Sequence, residues 1–415
     1  MIALDPSIKR HRTTDVTLTV TSPDGTPLAG QEVVVAQRNH RFLFGCIGFD
    51  LVPYINGELT GEAEAAEAER MAGLWLDLFN FSTLPFYWGR FEPERGRPDT
   101  RRVLAAARWF ADRGLAVKGH PLAWHTSTAD WLMELSNADV AAAQVARIQR
   151  ELKDFAGVIG MWDVINEVVI MPVFDKYDNG ITRLCREIGR IPMIRMVFDA
   201  ARDADHRATL LLNDFDMSSA YECLIEGVLE AGIQIDALGL QSHMHQGYWG
   251  EEKTLATIDR FARYGLPIHF TESTLLSGHL MPPEIVDLND YKIDEWPSTP
   301  EGEARQADEM TRHYTTLLSH PAVEAITYWG FTDKRSWLGA PAGFFRADAT
   351  PKPSYEALHS LIKGSWWLPP TPLTTDENGR TTFTGFLGDY DLTTAATTTA
   401  FQVDIPGETA LRLTC

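Results

Sequence analysis

The chain is short of several things, and each shortage narrows its class. Cysteine is scarce: Cys46, Cys185, Cys223 and Cys415 lie far apart among 415 residues, so neither a disulfide framework nor a cysteine-built metal centre is expected. Basic residues are outnumbered, 37 Lys and Arg against 57 Asp and Glu, a formal net charge of -20. Nucleic acid and anionic membrane surfaces, which need basic patches, are therefore not expected as partners. No run approaches the roughly 20 apolar residues of a membrane span. The opening MIALDPSIKRHRTTDV has no apolar core and no small-residue cleavage site of a secretory leader. A cytoplasmic protein is the simplest expectation, with a secreted one whose leader lies outside this chain as the alternative. A Gly-rich phosphate loop and a nucleophile elbow are also missing, which narrows the chemistry.

What is present is enough apolar material for a full core, 44% hydrophobic against 23% charged. Eight short β-rich runs fall at 42–49, 79–84, 116–120, 160–166, 209–214, 236–243, 268–272 and 325–330. Amphipathic helical stretches around 61–78, 100–113, 138–154, 192–203, 220–231, 253–264, 301–319 and 353–363 alternate with them. Continuous apolar runs separated by helices predict a parallel sheet buried on both faces, and eight such units predict an α/β fold, a (β/α)8 TIM barrel. The two ends differ. Residues 14–36 alternate around a Pro-Asp-Gly turn, and 373–394 alternate around an Asn-Gly turn. Neither piece can fold alone. The expected organisation is one accessory β-sandwich shared by 1–40 and 365–415, with the barrel at 41–364 inserted between. The biased stretch 393–400 reads as a loose loop.

Barrels of this kind place reactive groups at the C-terminal strand ends. The third predicted strand ends on His120, with Trp124 and His125 following; the fourth on Asn166 and Glu167; the fifth on Asn213 and Asp214; the sixth on Gln241 and His243; the seventh on Glu272; the eighth on Trp329, with Trp337 beyond. Two carboxylates facing each other across a mouth lined by imidazoles, amides and indoles suit glycoside hydrolysis, one acid protonating the leaving oxygen and the other attacking the anomeric carbon. His243 and His245 have metal-like spacing but no third ligand, so support of a carboxylate is the preferred reading; no metal and no cofactor are predicted. Asp163 and Asp214 read as structural anchors, Trp366 and Trp367 as packing between barrel and sandwich, and Cys46 as a core thiol.

These residues also carry a resemblance. GHPLAWH at 119–125, WDVINE at 162–167, LND at 212–214, GLQSHMH at 239–245, TE at 271–272, YWGFTDKRSW at 328–337 and PKPSYEAL at 351–358 occur in the order and spacing of glycoside hydrolase family 10, the retaining endo-β-1,4-xylanases. The resemblance implies Glu167 as acid/base and Glu272 as nucleophile. It implies Asn166 on the sugar 2-hydroxyl, His243 holding Glu272 ionised, and Gln241 beside it. His120 and Trp124 would bind the same sugar, Trp329 and Trp337 would wall it, and Trp88, which survives from the family's E-N-x-x-K-W motif, would also bind substrate. Glu167 would be kept protonated by the charge of Glu272. Two departures stand out. Thr83, Leu84 and Tyr87 replace the Glu, Asn and Lys that grip the next sugar on the non-reducing side, and Ser127 and Ala129 occupy the Ser-Gln-x-Pro positions after Trp124-His125. The carbohydrate substrate is accordingly either β-1,4-xylan and xylo-oligosaccharides or another β-linked oligosaccharide or plant glycoside. A non-catalytic sugar-binding protein is the remaining alternative, and the presence of both carboxylates speaks against it.

Overall fold

Apolar runs bounded by turn residues become strands, and the computed structural model, which describes residues 4–415, places fifteen of them. β1 (Thr13–Thr21) and β2 (Glu32–His40) precede the barrel strands β3 (Leu43–Ile47), β4 (Phe81–Pro85), β5 (Ala116–His120), β6 (Met161–Asn166), β7 (Thr209–Asp214), β8 (Ala237–His243), β9 (Ile268–Thr274) and β10 (Val323–Tyr328). β11 (Thr371–Thr374), β12 (Arg380–Phe386), β13 (Gly388–Thr393), β14 (Thr398–Val403) and β15 (Gly407–Thr414) follow. β3 to β10 close into one parallel barrel in chain order, with β10 returning to β3. Helices occupy the connections, as the α/β barrel reading requires.

The outer helices form where an apolar stripe meets a proper cap. In Asn137–Asp154, Ser136 accepts the Asp139 N–H, and the buried face runs Val140, Gln144, Arg147, Ile148, Glu151, Leu152, the spacing of one helix side. In Pro300–Ser319, Thr299 accepts the Gly302 N–H and Pro300 opens the first turn. Two readings need correcting. The stretch 393–400 is not one loose loop: only a turn separates β13 from β14, where Thr394 and Thr397 bond each other's backbone. The helix Gly180–Ile188, capped by Asn179 on Thr182, lies where no element was predicted.

The terminal strands form two small sheets, β12–β1–β15 and β11–β2–β13–β14. Val16, Leu18 and Val20 from one face Val35, Leu392, Tyr390 and Phe401 from the other in a core of their own, giving a β-sandwich of both chain ends. Trp366 joins the barrel core, stacked on Phe44, while Trp367 lies edge-on to His40. No helix of the described residues is long and apolar enough to cross a membrane.

Candidate active site

Local irregularity aims the key side chains. The pairing of β6 with β7 slips between Asp163 and Ile165, and that of β8 with β9 slips between Leu240 and Gln241. Such bulges turn the following side chains relative to the pleat. Glu167, the residue after β6, takes a left-handed backbone (φ 56°), and its N–H donates to the Asn213 carbonyl. The strained geometry leaves its carboxyl over the barrel mouth.

The two carboxyls sit in different surroundings. Glu272, 4% exposed, accepts from Asn213 Nδ2 (3.1 Å) at one oxygen and is 3.1 Å from His243 Nε2 at the other, with His120 Nε2 at 3.8 Å. Burial opposes its ionisation, but His120 and His243 prevail and hold it below the usual carboxylate range. Glu167 accepts from Trp124 Nε1 at 2.8 Å, Gln241 Nε2 at 3.1 Å and Asn166 Nδ2 at 3.2 Å. Burial first, and the charge of Glu272 second, push it up to about 8 against those donors. The sequence reading named only the charge; burial is the larger cause.

A thread of amides joins the pair. Gln241 Nε2 bonds both Glu167 and Asn166 Oδ1, Asn213 Nδ2 bonds both Asn166 Oδ1 (2.7 Å) and Glu272, and Thr271 donates to Asn213 Oδ1 at 2.5 Å. Gln241 is opposite Glu272 in register, yet its amide crosses to Glu167. Asn213, which the sequence places at a strand end without a role, is the link between the acid/base side and Glu272. Gly239 makes room for it, since a Cβ there would lie 2.3 Å from Asn213 Oδ1.

Beneath the pair, Asp163 accepts from His120 Nδ1 at 2.8 Å and meets Lys118 Nζ at 2.7 Å, all three side chains at most 1% exposed. Asp163 thus anchors the barrel interior and orients His120. Asp214 accepts the N–H groups of Val169 and Asp216, both at 3.0 Å, and pins the loops after β6 and β7.

The predicted indoles divide. Trp124, Trp329 and Trp337 border the mouth: Trp329 is edge-on to His120 (5.1 Å), and Trp337 lies 4.7 Å from His243. Trp88 does not reach it. The chain after β4 turns into the short helix Trp88–Phe91, which buries the indole (4% exposed) with its N–H on Glu92 and the Arg147 guanidinium over its ring. The expectation that Trp88 binds substrate is therefore corrected. Its neighbour Tyr87 faces the mouth instead, packed on Trp124 (5.6 Å), His120 (5.7 Å) and Phe49 (5.9 Å), and Phe49 in turn meets Trp329 at 5.6 Å. Trp124, Tyr87, Phe49 and Trp329 make an aromatic arc where the family motif has charged and amide groups. Thr83 and Leu84 are wholly buried. Among the described residues, no set of three His, Cys, Asp or Glu side chains gathers as a metal site.

The arrangement pairs one carboxyl held ionised with one held protonated, across a mouth of rings and amides, which is the equipment of glycoside hydrolysis. Comparison with known proteins agrees. The family model described as "Glycosyl hydrolase family 10" matches residues 85–361, more than half of the chain. The endo-1,4-beta-xylanase B of Thermotoga neapolitana is 28% identical over 66% of this chain and 78% of its own length, and the endo-1,4-beta-xylanase of Geobacillus stearothermophilus is 25% identical over 60% and 75%. Xylanase 10B from Thermotoga petrophila RKU-1, solved in complex with xylobiose, shares the fold with a TM-score of 0.62 at 22% identity, over 78% of this chain and 95% of that one. The chain belongs to glycosyl hydrolase family 10 and is a glycoside hydrolase.

Proposed function

We propose that the protein cleaves β-1,4-linked xylo-oligosaccharides and xylan by double displacement, with Glu272 attacking the anomeric carbon and Glu167 first protonating the leaving oxygen, then deprotonating the incoming water. The observation that carries this reading is the opposed titration of the two carboxyls, Glu272 held low and Glu167 raised to about 8. Glycosylation of Glu272 removes the negative charge that helps keep Glu167 protonated, so Glu167 becomes the stronger acid when it must serve as base. His243 and Asn213 orient the nucleophile, Gln241 and Asn166 hold the acid/base, and Trp124, Trp329 and Trp337 offer apolar faces to the sugar. The named substrates of the relatives support xylose units in the chain, and the aromatic arc at Tyr87 supports short chains over long ones.

A 2-fluoro-xylobioside with an activated leaving group should trap a covalent adduct on Glu272, found by peptide mass mapping. An adduct on any other residue, or none while hydrolysis of the parent xylobioside proceeds, would overturn the assignment.

A further inference from the structure

Glu167 and Glu272 must flank the bond they cleave, so a bound sugar chain runs between the ends of β6 and β9. The barrel order sends one half of that chain over β7 and β8, the two strands between them on the short side of the mouth. That half does not meet an open rim. The segment 275–299 leaves β9 and folds on a small apolar cluster of Leu276, Met281 and Trp296 with Ala340 and Ala342. It is tied to the loop after β8: the Met281 N–H donates to the His245 carbonyl at 2.9 Å, and Gln246 Nε2 donates to the carbonyls of Pro282 (2.9 Å) and Ile285 (2.8 Å). Beyond that it reaches the loop after β6. Lys176 Nζ donates to both oxygens of Asp290 at 2.7 Å and lies 3.4 Å from Asp287. Asp287 accepts the Asn289 N–H, which sets the two acids side by side. A loop that leaves β9 and touches the loops of both β8 and β6 spans the end of β7 that lies between them.

We propose that Lys176, Asp287 and Asp290 form an ionic latch that roofs this side of the mouth and sets the length of sugar chain the enzyme accepts there. Short β-linked oligosaccharides enter beneath the closed latch. A polymer that continues past β7 and β8 enters only when the latch opens. The proposal rests on the substrate class given above. The latch is weak by construction: the side chains of Lys176 and Asp290 are 46% and 59% exposed, and exposed ion pairs are screened by salt. Opening is therefore frequent, and more so at high ionic strength. Because the three residues touch neither carboxyl, changing them leaves the chemistry of a short substrate alone.

The test compares kcat/KM on soluble polymeric xylan with kcat/KM on an aryl β-xylobioside for the wild type, Lys176→Ala, Asp287→Asn/Asp290→Asn, and the charge swap Lys176→Glu/Asp290→Lys, each at low and high salt. The expected result is a several-fold rise in the polymer-to-xylobioside ratio in the first two variants, with xylobioside turnover unchanged. Raised salt should lift the ratio of the wild type and leave those variants where they are, and the charge swap should stay close to the wild-type ratio. A ratio constant across variants and salt, with both substrates cleaved, overturns the latch while leaving the function reading intact. So does a fall in both substrates together, which marks a merely structural contact. Failure of the wild type to cleave either substrate overturns both.

Discussion

The two arcs of the barrel mouth are built from different materials. On the arc from β6 to β9, Asn166, Asn213, Gln241 and His243 engage the two carboxyls through a closed set of hydrogen bonds, and loops above them are joined by charge. On the arc of β3, β4 and β5, Phe49, Tyr87 and Trp124 present rings with no charged group of their own. The first arc hangs on strand ends, where the barrel dictates position to a fraction of an ångström. The second hangs on connecting segments, whose side chains can change without disturbing the sheet. The rigid half thus holds the reaction type at its strand ends, while substrate length is set in connecting segments, the latch loops above that arc and the rings of the replaceable half.

The sharpest way to break that division is Glu167→Gln. Loss of general acid catalysis should lower kcat/KM about 10²–10⁴-fold on xylo-oligosaccharides, and far less on an aryl glycoside whose leaving group needs no proton. An equal loss on both substrates would remove Glu167 from the acid role. Next comes Asp163→Ala, which strands the buried Lys118 ammonium and should cost about 3–5 kcal/mol in denaturant-unfolding free energy. An unchanged midpoint would mean that the rigid half does not depend on this pair.

The pH profile of kcat/KM sharpens the comparison further. Activity requires Glu167 protonated, so rate should fall as pH rises through about 8; it requires Glu272 ionised, so the acid limb should lie below the usual carboxylate range. Trp124 donates to the charged form of Glu167 and lowers its pKa, hence Trp124→Phe should move the alkaline limb upward. A downward move would contradict the hydrogen-bond assignment. The smallest effect belongs to the replaceable half: Tyr87→Ala should raise kcat/KM on xylotetraose relative to an aryl β-xyloside by a few-fold, measured by initial rates, without shifting either pH limb. A shift of the alkaline limb would show that Tyr87 tunes Glu167 instead of limiting only the length of the chain.

Much of this was legible from sequence because parallel barrel strands are buried on both faces and write themselves as continuous apolar runs. MWDVIN and TLLLND announced both their type and their ends, and the polar residues closing them are the ones that meet at the mouth. Other features had no such signature. Trp88 follows β4 directly, and nothing in TLPFYW reveals that the chain at once coils into Trp88–Phe91 and turns the indole inward, while Tyr87 takes the outward place. Gly89 is the steric reason the turn fits: a Cβ there would lie 2.5 Å from the Thr128 carbonyl oxygen. The helix Gly180–Ile188 escaped notice because it is short, opens on glycine and follows polar residues. β14 and β15 escaped because threonine-rich alternation on a half-exposed sheet has little hydrophobic contrast. Gln241 does lie beside Glu272 on the neighbouring strand, but the one-residue slip in register that sends its amide to Glu167 has no sequence signature.

The shared sandwich has a consequence in time. Thr13 pairs with Phe386 and Thr14 with Gly407, so β1 gains its neighbours only after the whole barrel has been made. At about 5–20 residues per second of synthesis, that interval is roughly tens of seconds. During it, the alternating apolar faces of β1 and β2 are edges without partners, open to pairing with another nascent chain. Barrel closure brings the two ends together and turns a very long loop closure into a short one. The barrel is therefore also the template on which the sandwich assembles, and a variant slow to close its barrel should aggregate through its first forty residues before it loses any activity per folded molecule.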